Sequence, residues 1–428
     1  MKLHIRGGRL VDPSQNVDRK GDVWVEDGKI QALLFGEPPP AKPDQTIDAN
    51  GAIVAPGLID LHVHLREPGQ EEKEDIASGT HAAVAGGFTS VLCMPNTDPV
   101  NDSVEITRWI RKRADETAFC RVFPVGAITK GLKSTELAPL AEMKEAGCVA
   151  FSDDGRPVVD SHRMREALEM GRKLNVPMIA HCEDLALSAG PTVNEGRVAD
   201  RLGLKGIPVA AESADVARVI ILAAETGGRL HLAHLSCVSS IQLLREYKPK
   251  VKGLTAEATP HHLLLTDEAV LKHGTNAKMY PPLRSSADRS ALVKALKDDW
   301  IDVIATDHAP HTDLEKKMAY EKAPNGVIGL ETALPVLLTL VASGDLMLSQ
   351  LIRKMSTEPA RIVGIPGGTL KPGAPADIVL FSADGERPLS AAGTFSKSRN
   401  TPFEGFVGKG RVLGTIVGGE EKFRAEGL

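Results

Sequence analysis

Residues 60–69 read Asp60-Leu61-His62-Val63-His64-Leu65-Arg66-Glu67-Pro68-Gly69, directly after the apolar run Ala52-Ile53-Val54-Ala55-Pro56-Gly57-Leu58-Ile59. The run is short, rich in β-branched residues and bounded by Gly and Pro, so it reads as one buried strand. Side chains alternate faces along a strand, which sets His62 and His64 on one face, roughly 7 Å apart. Two imidazoles at that spacing suit one transition metal. The competing reading is two ordinary polar residues at a strand end. Arg66 continues the same face, and a metal pair followed by a fixed cation suggests a site that holds an anion beside a metal.

Outward from this stretch, the middle of the chain repeats one pattern. Apolar strand-like runs recur at 58–65, 89–94, 121–128, 148–151, 177–180, 230–235, 253–258 and 301–305. Amphipathic helix-like stretches at 76–85, 104–114, 161–174, 210–225, 238–245 and 286–297 fill the gaps. Strand-then-helix units repeated eight times over roughly 250 residues predict an α/β fold, a (β/α)8 TIM barrel. A doubly wound open sheet is the alternative, weakened by the lack of a GxGxxG turn after the first strand. Both flanks read differently, as short strands and turns: 3–5, 9–11, 22–25 and 29–33 at one end, 376–381 and 410–417 at the other, with a Pro-rich loop over 36–43. The expected organisation is a barrel over 56–365 and one small β domain built from 1–55 and 366–428.

Composition narrows the function. The 428 residues carry a net charge of −5 and no basic block, so neither nucleic acid nor an anionic membrane surface is an expected partner. Residues 1–6 lack a secretory apolar region, and the most apolar later segment, 330–342, is short and contains Glu331 and Pro335; a cytoplasmic location is expected. The five cysteines form no CxxC pair, and all but Cys120 sit in or beside apolar runs, which predicts small buried hydrophobes rather than disulfides or a Cys-rich zinc site.

In a barrel of this kind the reacting groups lie at the C-terminal strand ends. Those ends carry His62, His64 and Arg66, then Asn96, Asp153-Asp154, His181, His234, His261-His262 and Asp307 with His308 and His311. Any one of these alone reads as a loop hydrogen-bonder. Together, four histidines and two aspartates suit two zinc-type ions sharing a hydroxide. A carboxylate must bridge the ions. Asp154 is the candidate and Asp153 its competitor, because strand alternation turns only one of them inward. Asp307 would lie beside the hydroxide, taking and returning its proton. His231 reads as structural, His261 and His262 as pocket-shaping, and the polar segment 310–324 as a loop over the site mouth that closes against water.

These residues match a known family. The pattern Pro56-Gly57-x-Ile59-Asp60-x-His62-x-His64, followed by His181, His234 and Asp307, resembles the amidohydrolase superfamily, and the whole chain resembles its class I dihydroorotases. The stretches Leu65-Arg66-Glu67-Pro68-Gly69, Met94-Pro95-Asn96-Thr97, Phe151-Ser152-Asp153-Asp154-Gly155, Asn194-Glu195-Gly196, Ala305-Thr306-Asp307-His308-Ala309-Pro310-His311 and Asn400-Thr401-Pro402-Phe403 carry the resemblance. It implies zinc-dependent, reversible cyclisation of N-carbamoyl-L-aspartate to L-dihydroorotate in pyrimidine biosynthesis. It implies two zinc ions per subunit, the second site open to partial filling: His62, His64 and Asp307 on the first, His181 and His234 on the second, Asp154 bridging. Arg66 and Asn96 would grip the substrate carboxylate, His64 and His311 would contact substrate, and Asn325 and Gly326 would meet the ring through their backbone. A homodimer and a complex with aspartate transcarbamoylase are the partners it implies. The chain departs from the family where Tyr280 replaces a substrate-binding asparagine in Lys278-Met279-Tyr280-Pro281-Pro282-Leu283-Arg284. Tyr280 is the expected substrate contact there, without an amide's paired donor and acceptor. Two other functions compete. A hydantoinase or allantoinase would carry a carboxylated lysine in place of Asp154, and a non-catalytic subunit scaffolding the transcarbamoylase would have lost metal ligands.

Overall fold

Parallel strands buried on both faces need apolar side chains on both, and the central sheet of this protein is built that way. The computed structural model describes residues 1–190 and 193–426. Its central strands are Leu58–Val63, Phe88–Cys93, Arg121–Gly126, Ala150–Ser152, Met178–Ala180, Leu230–Leu232, Leu254–Ala258 and Val303–Ile304, each parallel to the next. The first two are buried at every position. The circle closes where Val63 bridges His308, the His64 N–H donates to the His308 carbonyl at 2.8 Å, and the Thr306 N–H donates to the Asp60 carboxylate at 3.1 Å. This is a (β/α)8 barrel.

Helices between the strands follow their local signals. Ile76–Ala85 starts at a capping box of Asp75 and Ser78, and Ser286–Lys297 at one of Ser285 and Asp288. Ser161–Leu174 is capped by Asp160 and ends at Asn175 in the left-handed conformation (φ 55°). No helix among the described residues is long and apolar enough to cross a membrane.

A second sheet joins both ends of the chain. It holds Lys2–Asp12, Val17–Glu26, Lys29–Leu34, Gln45–Asp48 and Ile53–Pro56 with Ile378–Pro388, Val407–Val417 and Glu420–Arg424. Two expectations are corrected here. Residues 3–5 and 9–11 belong to one strand, since Gly7-Gly8 forms a register shift against Val17–Glu26 rather than a turn. The run 52–59 is not one strand but two. Ile53–Pro56 pairs with Ile378–Pro388, and Leu58–Val63 enters the barrel. The break falls at Gly57, where a Cβ would sit 2.2 Å from the Thr89 side chain. Only glycine lets the chain cross between sheets so close to the second barrel strand. The crossing is held by the Gly57 N–H on the Asp377 carbonyl (2.9 Å) and the Ser356 hydroxyl on the Gly57 carbonyl (2.6 Å).

Candidate active site

The barrel's C-terminal strand ends bring the expected residues together. All the expected ligand and substrate-contact residues except His62 line one cavity of about 760 Å³, and His62 is fully buried; His261 and His262, expected to shape the pocket, do not line it. Three of them have left-handed backbones: Arg66 (φ 61°), His234 (φ 30°) and Asp307 (φ 48°). Such strain at strand ends turns side chains into a cavity at a cost borne by the surrounding fold.

Asp154 sits at the centre. Its carboxylate oxygens lie 3.2 Å from His62 Nε2, 3.4 Å from His64 Nε2, 3.6 Å from His181 Nδ1 and 3.5 Å from His234 Nε2. Asp307 Oδ1 lies 3.2 Å from His64 Nε2 and 3.6 Å from His62 Nε2. Two groups form, His62–His64–Asp154 and Asp154–His181–His234, sharing one carboxylate. His62 Nε2 and Asp154 Oδ1 are buried without a hydrogen-bond partner among the described residues, although they are 3.2 Å apart. These two atoms converge without a hydrogen bond between them, as ligands of one ion would, while His181 Nδ1 lies 2.9 Å from His234 Nε2 and His64 Nε2 3.2 Å from Asp307. Imidazole and carboxylate suit a divalent ion, so the residues present fit a two-metal centre. Asp153 is turned away, accepting from the Ile128 and Thr129 N–H groups at 2.8 and 3.0 Å.

Each ligand is oriented from behind. The His62 Nδ1–H donates to Glu257 Oε1 at 2.8 Å, which leaves Nε2 as the lone pair facing Asp154. Glu257 also takes His231 Nε2–H (3.0 Å) and the His234 N–H (3.3 Å). Burial alone would raise its pKa, but the hydrogen bonds from His231 and His62 outweigh it and bring it to about 2. The His64 Nδ1–H donates to Asn96 Oδ1 at 2.8 Å, so Asn96 orients a ligand as well as lining the cavity. The His181 Nε2–H points at Glu183 at 3.4 Å, and Glu183 is held in turn by the Ser188 and Tyr280 hydroxyls.

Tyr280 resolves into a specific arrangement. Its hydroxyl donates to Glu183 Oε1 at 2.6 Å, and its ring stacks near-parallel on His181 (centroids 6.0 Å, 16°). Burial pushes its phenol pKa up, which keeps it a donor. The cavity thus receives a ring face, not a free hydroxyl.

On the opposite wall Arg66 is buried, and burial lowers its pKa only to about 10, so it stays cationic. Its Nε–H donates to the Pro310 carbonyl at 3.2 Å. His311 Nε2–H donates to the Asn325 carbonyl at 2.7 Å, so the nearby Arg66 Nη2, 3.3 Å away, is free to face the cavity. Gly326 packs where a Cβ would meet Ala309 Cβ at 2.7 Å, with φ 133°. Its N–H is used by the Lys278 carbonyl and its carbonyl by Asn400 and Lys316, so its backbone groups are engaged within the protein. Glu183 and Glu257 escaped the reading of the sequence. Glu257 had a signal, a lone acid inside the apolar strand Leu254–Ala258.

Comparison with known proteins decides the family. The chain is 50% identical over 424 residues to the dihydroorotase of Geobacter metallireducens, covering 99% of this chain and 100% of that one. The chain belongs to the dihydroorotase family. A family model described as Dihydro-orotase-like matches residues 51–240. The dihydroorotase of Pelotomaculum thermopropionicum is 51% identical, with 98% of each chain covered. Among solved structures, an L-hydantoinase (dihydropyrimidinase) from Arthrobacter aurescens superposes with a TM-score of 0.89 at 25% identity, covering 98% of this chain and 95% of that one. The family shares its barrel with the hydantoinases, and membership in it rests on the far higher identity to dihydroorotases.

Proposed function

We propose that this protein is a dihydroorotase, a hydrolase of cyclic amides that interconverts N-carbamoyl-L-aspartate and L-dihydroorotate in pyrimidine synthesis. The observation that carries the reading is the buried Arg66 guanidinium in the same cavity as the His/Asp cluster. Dihydroorotate bears a ring carboxylate that a simple hydantoin lacks, and arginine is the bidentate partner for it.

His62, His64 and Asp307 would hold one zinc ion, His181 and His234 a second, with Asp154 between them. When bound there, divalent metal acidifies water and polarises a carbonyl oxygen. The chain's own residues do the rest. Arg66 and the Asn96 amide fix the substrate carboxylate. Glu257 and Asn96 hold His62 and His64 in the tautomers that turn Nε2 to the cluster. Burial favours the neutral acid at Asp307, but the facing His62 and His64 outweigh it and keep the carboxylate ionised. It is placed to take a proton during attack on the ring amide and to return it to the leaving nitrogen. His311 and the Asn325 backbone supply the far wall. Tyr280 would contribute through its ring face.

In this reading the barrel unit, 56–365, carries the chemistry, and 1–55 with 366–428 forms its β-rich companion. Exposed Leu185, Leu187, Val209 and Ile221, on or beside the adjoining helices Leu185–Ser188 and Ala210–Thr226, support a homodimer. Light scattering of the purified chain, alone and mixed with aspartate transcarbamoylase, tests both associations. The functional test is zinc content measured alongside turnover. Zinc binding with dihydroorotate opening supports the reading. Zinc without turnover favours a scaffold, and preferential hydantoin opening favours a hydantoinase.

A further inference from the structure

Lys278 and Lys316 are only 2% and 5% exposed, and neither has a carboxylate within 4 Å among the described residues. A buried ammonium without a counter-ion is costly unless all three of its donors are used. Here they are. Lys278 Nζ meets the carbonyls of Tyr320 (2.6 Å), Ala323 (2.5 Å) and Glu321 (3.4 Å). Lys316 Nζ meets those of Gly326 (2.9 Å), Pro324 (3.0 Å) and Lys278 itself (3.3 Å). Five of the acceptors thus come from the single stretch 320–326. The Gly326 N–H returns to the Lys278 carbonyl at 2.9 Å, which ties the stretch to the segment bearing Tyr280.

This stretch is a wall of the active cavity, contributing Glu321, Ala323, Pro324, Asn325 and Gly326. Another of its contacts is functional: the Asn325 carbonyl receives His311, beside Arg66. A methionine in place of either lysine would fill the volume but leave these buried carbonyls without a donor, so the conformation of the wall depends on the two amino groups. What two buried amino groups with several donors each can do is draw several carbonyls of an irregular loop toward themselves at once. The carbonyls then face away from an anionic substrate, which they would otherwise repel.

We propose that Lys278 and Lys316 are positioning residues for substrate binding, caging the 320–326 carbonyls so that the wall presents Asn325 to His311 and keeps lone pairs out of the anion site. The inference rests on the functional reading above. The segment 310–324, expected from its polarity to close over the mouth, is from residue 320 onward a wall fixed from within.

The test uses the zinc-loaded full chain and its Lys278→Met and Lys316→Met variants. KM for dihydroorotate rises about 10-fold or more while kcat stays within about threefold, the split expected when positioning rather than chemistry is lost. Zinc content is unchanged. Folded variants that keep the wild-type KM overturn the proposal, as do variants that lose kcat and zinc together with KM. Hydrogen exchange on the unaltered protein decides the case if both variants fail to fold. Amides of 319–326 protected like those of the barrel strands support the cage, and exchange at open-loop rates overturns it. Wild-type protein that binds zinc but does not open dihydroorotate defeats the functional reading alone, because the exchange result still reads the cage.

Discussion

Asp153 and Asp154 are neighbours with opposite tasks. One ties the Ile128 and Thr129 backbone, and the other meets four imidazoles. Alternation required that only one face the cavity, but which one depends on where the strand Ala150–Ser152 stops. Asp307 faces the same cluster, where the Asp154 carboxylate is already committed to four imidazoles. Asp307→Asn therefore lowers kcat by at least about 100-fold in steady-state assays of dihydroorotate opening, since a general acid–base group contributes on that scale. At Tyr280 the hydroxyl supports Glu183, which supports His181. Tyr280→Phe keeps the stacked ring and removes the hydroxyl. Zinc titration of that variant should give an affinity at the His181–His234 site about 10-fold weaker, with the His62–His64 site unaltered, as for loss of an outer partner of a metal ligand. A variant with wild-type affinity at both sites would show that Ser188 alone suffices to hold Glu183.

Among elements, the shortest barrel strand, Val303–Ile304, is completed by residues just beyond its end, through the His308 bridge to Val63. The segment after it is braced by residues 395–400 from far along the chain. Asn400 donates to the Ala309 and Gly326 carbonyls at 3.0 Å each and accepts from the His311 N–H at 3.1 Å. That brace rests on Glu74 and on Glu331, whose carboxylate accepts from the Phe395 and Ser396 N–H groups. Burial raises the Glu331 pKa from 4.5 to about 7 despite those two hydrogen bonds. The folded chain thus binds a proton that the unfolded chain releases near pH 4.5, so the associated stability is full below that pH and is lost as pH rises through 7. Glu331→Gln removes this slope. Thermal melts should give the variant an advantage over wild type on the order of 3 kcal/mol at pH 8, shrinking to a few tenths by about pH 4.5. A constant difference between the two pH values would mean that Glu331 stays ionised throughout.

For the molecule as a whole, the two sheets are separate as strand ladders but joined through a buried charged side chain. Asp377, buried beside the terminal sheet, takes Arg121 of the third barrel strand at 2.8 Å and the Gly418 N–H at 2.7 Å. The barrel's strands pair through backbone bonds that need no metal, so metal removal should leave the fold intact. Chelation is expected to abolish dihydroorotate opening and lower Tm, with zinc restoring both. An ion at a thousand times its Kd contributes about 4 kcal/mol by mass action. Circular dichroism that reports unfolding on chelation at room temperature would contradict this division between scaffold and site.

The sequence alone determined the barrel, the β-rich character of both flanks, and the histidines and Asp307 of the cluster; the choice of Asp154 over Asp153 came from the structure. Period-two and helical patterns are local, and the ligands all sit at strand ends, where the pattern breaks in a recognisable way. The family residues around Arg66 and Asp307 were legible for the same reason. Only the tertiary structure decided that 52–59 spans two sheets, because the collision that forces Gly57 comes from Thr89 on another strand. Only it revealed Glu257 behind His62, Glu183 behind His181, and two lysines drawn into one loop, because these contacts join residues up to 195 positions apart. His62 and His64 were visible from the first reading as a pair. What holds His62 in the tautomer it needs is a carboxylate on the seventh strand, and no local pattern connects the two.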